Sequence, residues 1–224
     1  MSASPLMPAA FLGHGSPMNA LERNRFTEAW RVFGASVPRP RAILAVSAHW
    51  HVDGLAVTAM QRPRTIHDFH GFPQALFDVQ YPAPGLPELA EEVADTVKPE
   101  YVVGQDHDGW GLDHGTWGVL VHAFPDAGIP VVQLSLDARK PLDWHVALGA
   151  KLAALRERGV LIVGSGNVVH NLRAIDWQQP DGAYDWARRF DEDARQLMAE
   201  RPHDIASLAT HRDYRMAVPT DAHF

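Results

Sequence analysis

The chain has 224 residues, a formal net charge of −7, 13 histidines against 20 lysines and arginines, and no cysteine. That length makes one ordinary domain with a sizeable core. The missing cysteine excludes a disulfide scaffold, a Cys-ligated zinc or iron–sulfur site and a thiolate nucleophile, so a metal here must be held by nitrogen and oxygen. The acidic balance, without a Lys/Arg cluster, argues against nucleic-acid binding, which rests on basic patches that neutralise phosphates.

In chain order, a short apolar run over residues 9–12 leads into Gly13-His14-Gly15. Asn19 is placed to cap a helix over 20–33, with Glu22 at the capping-box position. Residues 41–48 (RAILAVSA) form a near-continuous β-rich run, as expected of a strand buried on both faces, and 54–60 reads as a second strand. The pattern then predicts a helix over 87–97, an extended piece over 101–103, a helix over 114–123 and a strand over 130–136. An amphipathic helix over 142–156 is stopped by Gly159, a strand follows over 160–163, and a charged surface helix covers 184–200.

Strands alternating with helices of this length predict one α/β domain over residues 1–224, with a mainly parallel or mixed central sheet and helices on both faces. No repeat, low-complexity tract or linker divides it. The loops at 61–87 and 105–113 are long enough for a compact domain to reserve for function. The longest apolar runs, 160–163 and 42–46, fall far short of the roughly 20 residues that cross a bilayer. The start, MSASPLMPAAFLGHG, lacks the basic and apolar stretches of a secretory signal, so a cytoplasmic location is expected.

On these strands His14, His49 and His170 each follow a carboxyl end, in AAFLGH, ILAVSAH and LIVGSGNVVH. Ligands of open α/β sheets bind at that edge, and convergent imidazoles suit zinc, iron or copper. The plainer alternative is that each caps a turn or satisfies a buried carbonyl. Gly13, Gly15, Gly164 and Gly166 provide tight turns beside His14 and His170. GSGNVV lacks the third glycine of a dinucleotide loop, where Val169 stands, and neither HExxH nor GxSxG occurs.

His114 stands at a helix start beside Asp113, either as part of the cap or as a donor to an anionic oxygen. His67 reads as a pocket residue and His70 as exposed. His51, His107, His122, His145, His203 and His211 join no constellation. Trp50, Trp110 and Trp117 would wall an aromatic pocket or belong to the core, and Trp117 is the pocket candidate. Arg173 is a candidate carboxylate partner or a surface residue.

The segments GHGSPMNALE, VSAHW, TIHDFHGFP, LDHGTWGVL, VQLSL, GSGNVVHNLR and PTDAHF, in that order from Leu12 to Phe224, resemble the DODA-type extradiol ring-opening dioxygenases. These form a branch of the larger family of protocatechuate 4,5-dioxygenase catalytic subunits. The resemblance implies that His14 and His49 ligate a metal and that His223 adds a ligand. It implies that His170 is a further ligand or the acid/base group, and that His114 faces the substrate. It also implies one divalent metal per chain, with Fe2+ for activity and Zn2+ as a plausible occupant on purification, and a catechol and O2 as reactants giving a muconate semialdehyde. A monomer or small homo-oligomer is expected, with neither nucleic acid nor membrane as partner. The usual iron triad contains a carboxylate, whereas this set is all histidine. The chain stops one residue after His223, where relatives continue, so a family C-terminal segment is expected to be missing. The competing functional readings are a zinc-dependent hydrolase, in which metal-bound hydroxide attacks an ester or amide, and a non-catalytic Memo-like metal-binding protein.

Overall fold

The computed structural model describes residues 6–176, 178, 179 and 182–220. A six-stranded sheet runs through the middle in the order β1-β6-β2-β5-β3-β4. Its strands are β1 Ala9–Gly13, β2 Ala42–Val52, β3 Leu55–Thr58, β4 Val103–Asp106, β5 Val131–Asp137 and β6 Val160–Gly166. β1, β6, β2 and β5 are mutually parallel, β3 pairs antiparallel to β5, and β4 runs parallel to β3. The mixed α/β sheet expected from the sequence is therefore present.

Alternation along the strands sorts the core into two layers. Ile43, Ala45, Val131, Leu161 and Val163 face one side with Trp117, Leu120 and Ile129. Ala42, Leu44, Val132, Leu134 and Val160 face the other, against Leu89, Val93, Val97, Leu148 and Leu152. Consecutive residues 42–45 are thus all buried, which is why this strand lacks a polar face. The first layer is covered by α1 (Arg25–Ser36) and α4 (His114–Ala123), the second by α3 (Pro87–Val97) and α5 (Leu142–Leu152). A short α2 (Gln74–Phe77) lies in the long loop after β3. A third apolar cluster joins α6 (Asp185–Glu200), the 3-10 segment Pro202–Thr210 and α7 (Tyr214–Ala217) through Phe190, Ala194, Leu208 and Ala217. No helix among the described residues is long and apolar enough to cross a membrane.

Several boundaries differ from the sequence reading: β3 is shorter than 54–60, β4 lies at Val103–Asp106 and not 101–103, β6 runs on past 163 to Gly166, and α1, β2 and α5 shift as well. α1 starts at Arg25, because Asn24, not Asn19, caps it. The Asn24 side chain accepts from the amides of Phe26 and Thr27, and the Thr27 hydroxyl accepts from the Asn24 amide at 2.9 Å. Asn19 sits in a 3-10 turn, Pro17–Ala20, where its amide donates to the His14 carbonyl at 3.0 Å. β2 runs on to Val52 past a register shift between Val46 and His51, so His49 lies inside a strand and not beyond its end. α5 stops at Leu152 and tightens into a 3-10 turn, Ala153–Arg158, closed by Gly159 at φ 79°. Of the four glycines flanking His14 and preceding His170, Gly15 takes a positive φ of 61°, while Gly13, Gly164 and Gly166 are strand residues.

Candidate metal centre

Parallel pairing of β1 with β6 sets Leu12 beside Ser165 and Gly13 beside Gly166, so the chain delivers His14 at the carboxyl edge of the sheet. β2 brings His49 to the same edge, and the first turn of α4 brings His114. One nitrogen from each of these three rings lies within 4.8 Å of the others. The ring centroids are 4.9 Å apart for His14 and His49 and 4.0 Å apart for His49 and His114. His14 and His114 are buried and His49 is half-buried.

Hydrogen bonds around the cluster determine which nitrogen of each ring faces inward. The Ser165 hydroxyl donates its one hydrogen to the Gly115 carbonyl, so it accepts from His14 Nδ1–H at 2.9 Å. That leaves His14 Nε2 as a lone-pair atom. Asp68 sits on the loop between β3 and α2. Its Oδ2 accepts from His49 Nδ1 at 2.9 Å, and its Oδ1 accepts from His114 Nδ1 at 2.9 Å and from the His114 amide at 3.0 Å. Burial opposes the charge on Asp68, but the hydrogen bonds from His114 and His49 outweigh it and hold the carboxyl well below its usual range. An ionised Asp68 has only acceptors, so His49 and His114 also turn Nε2 toward the centre.

His14 Nε2 and His49 Nε2 stand 3.3 Å apart. Two imidazole nitrogens sharing one tetrahedral ion at about 2.0–2.1 Å lie about 3.3–3.4 Å from each other. The donor set and its spacing therefore fit a divalent metal, which would take the same His14 Nε2 lone pair that accepts from the Asn167 amide at 3.0 Å.

Behind the rings lies a second buried network. Asp113 caps α4, with its Oδ1 accepting from the Thr116 amide at 3.2 Å and from Ser47 Oγ at 2.7 Å. Gln133 donates to its Oδ2. Burial raises the Asp113 pKa. Gly115 is needed here because a Cβ would stand 2.5 Å from Ser47 Oγ and 2.9 Å from His49 Cδ2.

The sequence matches the family described as the catalytic LigB subunit of aromatic ring-opening dioxygenase over residues 5–224. The chain belongs to this family. It is 50% identical to the 4,5-DOPA dioxygenase extradiol of Escherichia coli K12, over 99% of this chain and 83% of that one. It is 35% identical to the 4,5-DOPA dioxygenase extradiol of Beta vulgaris, over 96% of this chain and 82% of that one. A crystal structure of an uncharacterized Escherichia coli K12 protein superposes with a TM-score of 0.81 at 44% identity, covering 97% of this chain and 84% of that one. Ring-opening dioxygenases of this family are oxidoreductases with a mononuclear metal site, and the cluster of His14, His49 and His114 has the donors and spacing that could hold one ion.

The remaining candidates fall around the three-histidine cluster or away from it. His170 is not part of the three-ring group. Its amide donates to the Ala217 carbonyl at 2.8 Å, and it opens onto a cavity of about 740 Å³ lined by Leu172, Tyr184 and Trp186. Burial lowers its pKa, and its electrostatic interaction with His49 acts in the same direction. His67 donates from Nε2 to the Val79 carbonyl at 2.9 Å and packs on Phe69, Phe77 and Trp117. Trp117 does not meet the expectation of a pocket wall. It is fully buried, and its indole N–H holds the Ile66 carbonyl at 2.8 Å, bracing the loop that carries Asp68 from the core side. Trp50 stacks on Trp110 at 5.7 Å and is buried too. Arg173 is exposed in the 3-10 turn Leu172–Ala174. His223 lies outside the described residues.

Sequence reasoning missed Asp68, Ser165 and Asn167. Asp68 stands in TIHDFHGFP between His67 and His70, but nothing in that segment marks it as the partner of His49 and His114.

Proposed function

We propose that this chain opens the ring of a catechol with O2, at the bond beside the diol, to give a muconate semialdehyde. The reading rests on one observation above all. Three imidazoles in a ring-opening dioxygenase fold present lone-pair Nε2 atoms to one point, in tautomers dictated by Ser165 and Asp68. A DOPA-like catechol is the favoured substrate, since the relatives at 50% and 35% identity carry that name.

His14 and His49 would hold the ion, with His223 as a further ligand. Ferrous iron supplies, when bound, the one-electron exchange between catechol and O2 that zinc, lacking an accessible redox change, does not. His114, tethered through Nδ1, turns its Nε2 lone pair toward the substrate and accepts a hydrogen bond from a catechol hydroxyl. His170, kept readily deprotonated by burial, takes the catechol hydroxyl proton and returns it later in the reaction. Phe69 meets the His114 ring edge-on at 5.4 Å and closes the apolar side of the site.

The ring distances also favour a second reading, in which His114 Nε2 is itself a ligand. Metal stoichiometry separates the two. In the first, His114→Ala keeps one ion per chain and loses turnover; in the second it loses the ion. His14→Ala and His49→Ala lose the ion in either case while remaining folded.

The functional test is anaerobic loading with Fe2+ or Zn2+, addition of L-DOPA and a panel of catechols, then admission of O2. Iron-loaded protein consumes O2 and zinc-loaded protein does not. Full ring cleavage with zinc alone, or unchanged metal occupancy in both alanine variants, would overturn the proposal. Ester hydrolysis with zinc and no O2 uptake with iron would favour the hydrolase.

A further inference from the structure

Asp68 is a single carboxylate whose two oxygens go to two different imidazoles. Oδ2 takes the Nδ1–H of His49, and Oδ1 takes the Nδ1–H of His114 together with the amide that opens α4. The loop that carries it is clamped just ahead of the residue. The Leu112 amide donates to the Arg64 carbonyl at 2.9 Å, the Ile66 amide to the Leu112 carbonyl at 2.7 Å, and Trp117 Nε1 to the Ile66 carbonyl. A carboxylate held this way is a fixed template, with one acceptor for each ring.

We propose that Asp68 is a positioning residue that sets the tautomer and orientation of His49 and His114 together, so that metal affinity and the substrate-facing ring depend on one side chain. The proposal rests on the reading of His14 and His49 as metal ligands. Its physical basis is that a metal-ligating imidazole almost always donates its other N–H to an acceptor, which fixes the tautomer and the ring orientation. An asparagine has the same size but one acceptor oxygen and one NH2 group. It can therefore serve one histidine and must face the other with a donor.

The proposal is tested on the full chain with Co2+ as the probe metal. Asp68→Asn is expected to weaken Co2+ binding tenfold to a hundredfold and to change the visible d–d spectrum at saturation, a change that loss of general stability alone does not produce. His49→Ala is the control and is expected to abolish binding at concentrations that saturate the parent chain. If His49→Ala binds Co2+ as the parent does, the metal reading itself fails. If His49→Ala loses the metal while Asp68→Asn keeps affinity and spectrum, the Asp68 proposal fails alone. A second measurement needs no variant at residue 68. In the metal-free parent chain, histidine 15N chemical shifts should report Nδ1–H tautomers for His49 and His114, and an Nε2–H tautomer at either would overturn the proposal.

Discussion

At the scale of single residues, the site depends on which nitrogen of each histidine carries hydrogen. Composition pointed to nitrogen and oxygen donors, and strand-end position singled out His14, His49 and His170, of which the first two meet in the cluster and His170 does not. Asp68 was not legible, because its two partners come from β2 and α4, 19 and 46 residues away, and no local pattern reports such a contact. His145 shows the opposite case, a histidine without a constellation that still matters energetically. It donates from Nδ1 to the Pro141 carbonyl at 3.0 Å, while its buried Nε2 has no hydrogen-bond partner among the described residues. Protonation would place a donor where nothing accepts it, and burial accordingly lowers its pKa below 6.5. A group with a depressed folded pKa stabilises fully above its unfolded value and loses that contribution as pH falls through the folded one. Unfolding free energy should therefore decline as pH drops from about 7 to about 5, and His145→Gln should lessen the decline. Equal slopes in urea titrations of the two chains would contradict this account.

Elements were more legible than their ends. The helix expected over 114–123 is observed as His114–Ala123, and that over 87–97 as Pro87–Val97. Both have clear start signals, Asp113 as a side-chain cap in one and Pro87 in the first turn of the other. The start of α1 was misplaced because Asn19 and Asn24 are both chemically able to cap. Asn24 Nδ2 donates to Asn19 Oδ1 at 2.8 Å, and which of them begins the helix is settled by the partner that Thr27 provides. His49 was placed past a strand end because the irregular register of β2 has no composition signal. The close seating of α4 on β2 yields a prediction of its own. Gly115→Ala puts a methyl group against Ser47 Oγ and His49 Cδ2. Overpacking of this kind costs about 1–3 kcal/mol, and the shift of His49 should weaken metal binding as well. Gly118→Ala, on the same helix with nothing within 4 Å of its Cβ position, should do neither. Chemical denaturation and metal titration of the two variants side by side check both parts.

At the scale of the whole molecule, four parallel strands bring their carboxyl ends to one edge, and that edge collects residues from β1, β2, β6, α4 and the loop before α2. Alternating patterns made the layered α/β architecture readable, because strands buried on both faces and helices with one apolar face have few other ways to pack. The reversal of β3 against β5 was not readable, since a four-residue strand has the same composition in either direction. A net charge of −7 does not draw acidic catechols from a distance, which leaves recognition to the local histidines. The central claim is that this edge adds both atoms of O2 to a catechol ring. Mass spectrometry of the product formed by the iron-loaded chain from L-DOPA or another catechol, with O2 consumption followed in parallel, tests it most directly. The account predicts a product of substrate mass plus one O2, formed with one O2 consumed per catechol and absent in His14→Ala. A product of substrate mass plus water, or one that has only lost two hydrogens to become a quinone, would contradict it.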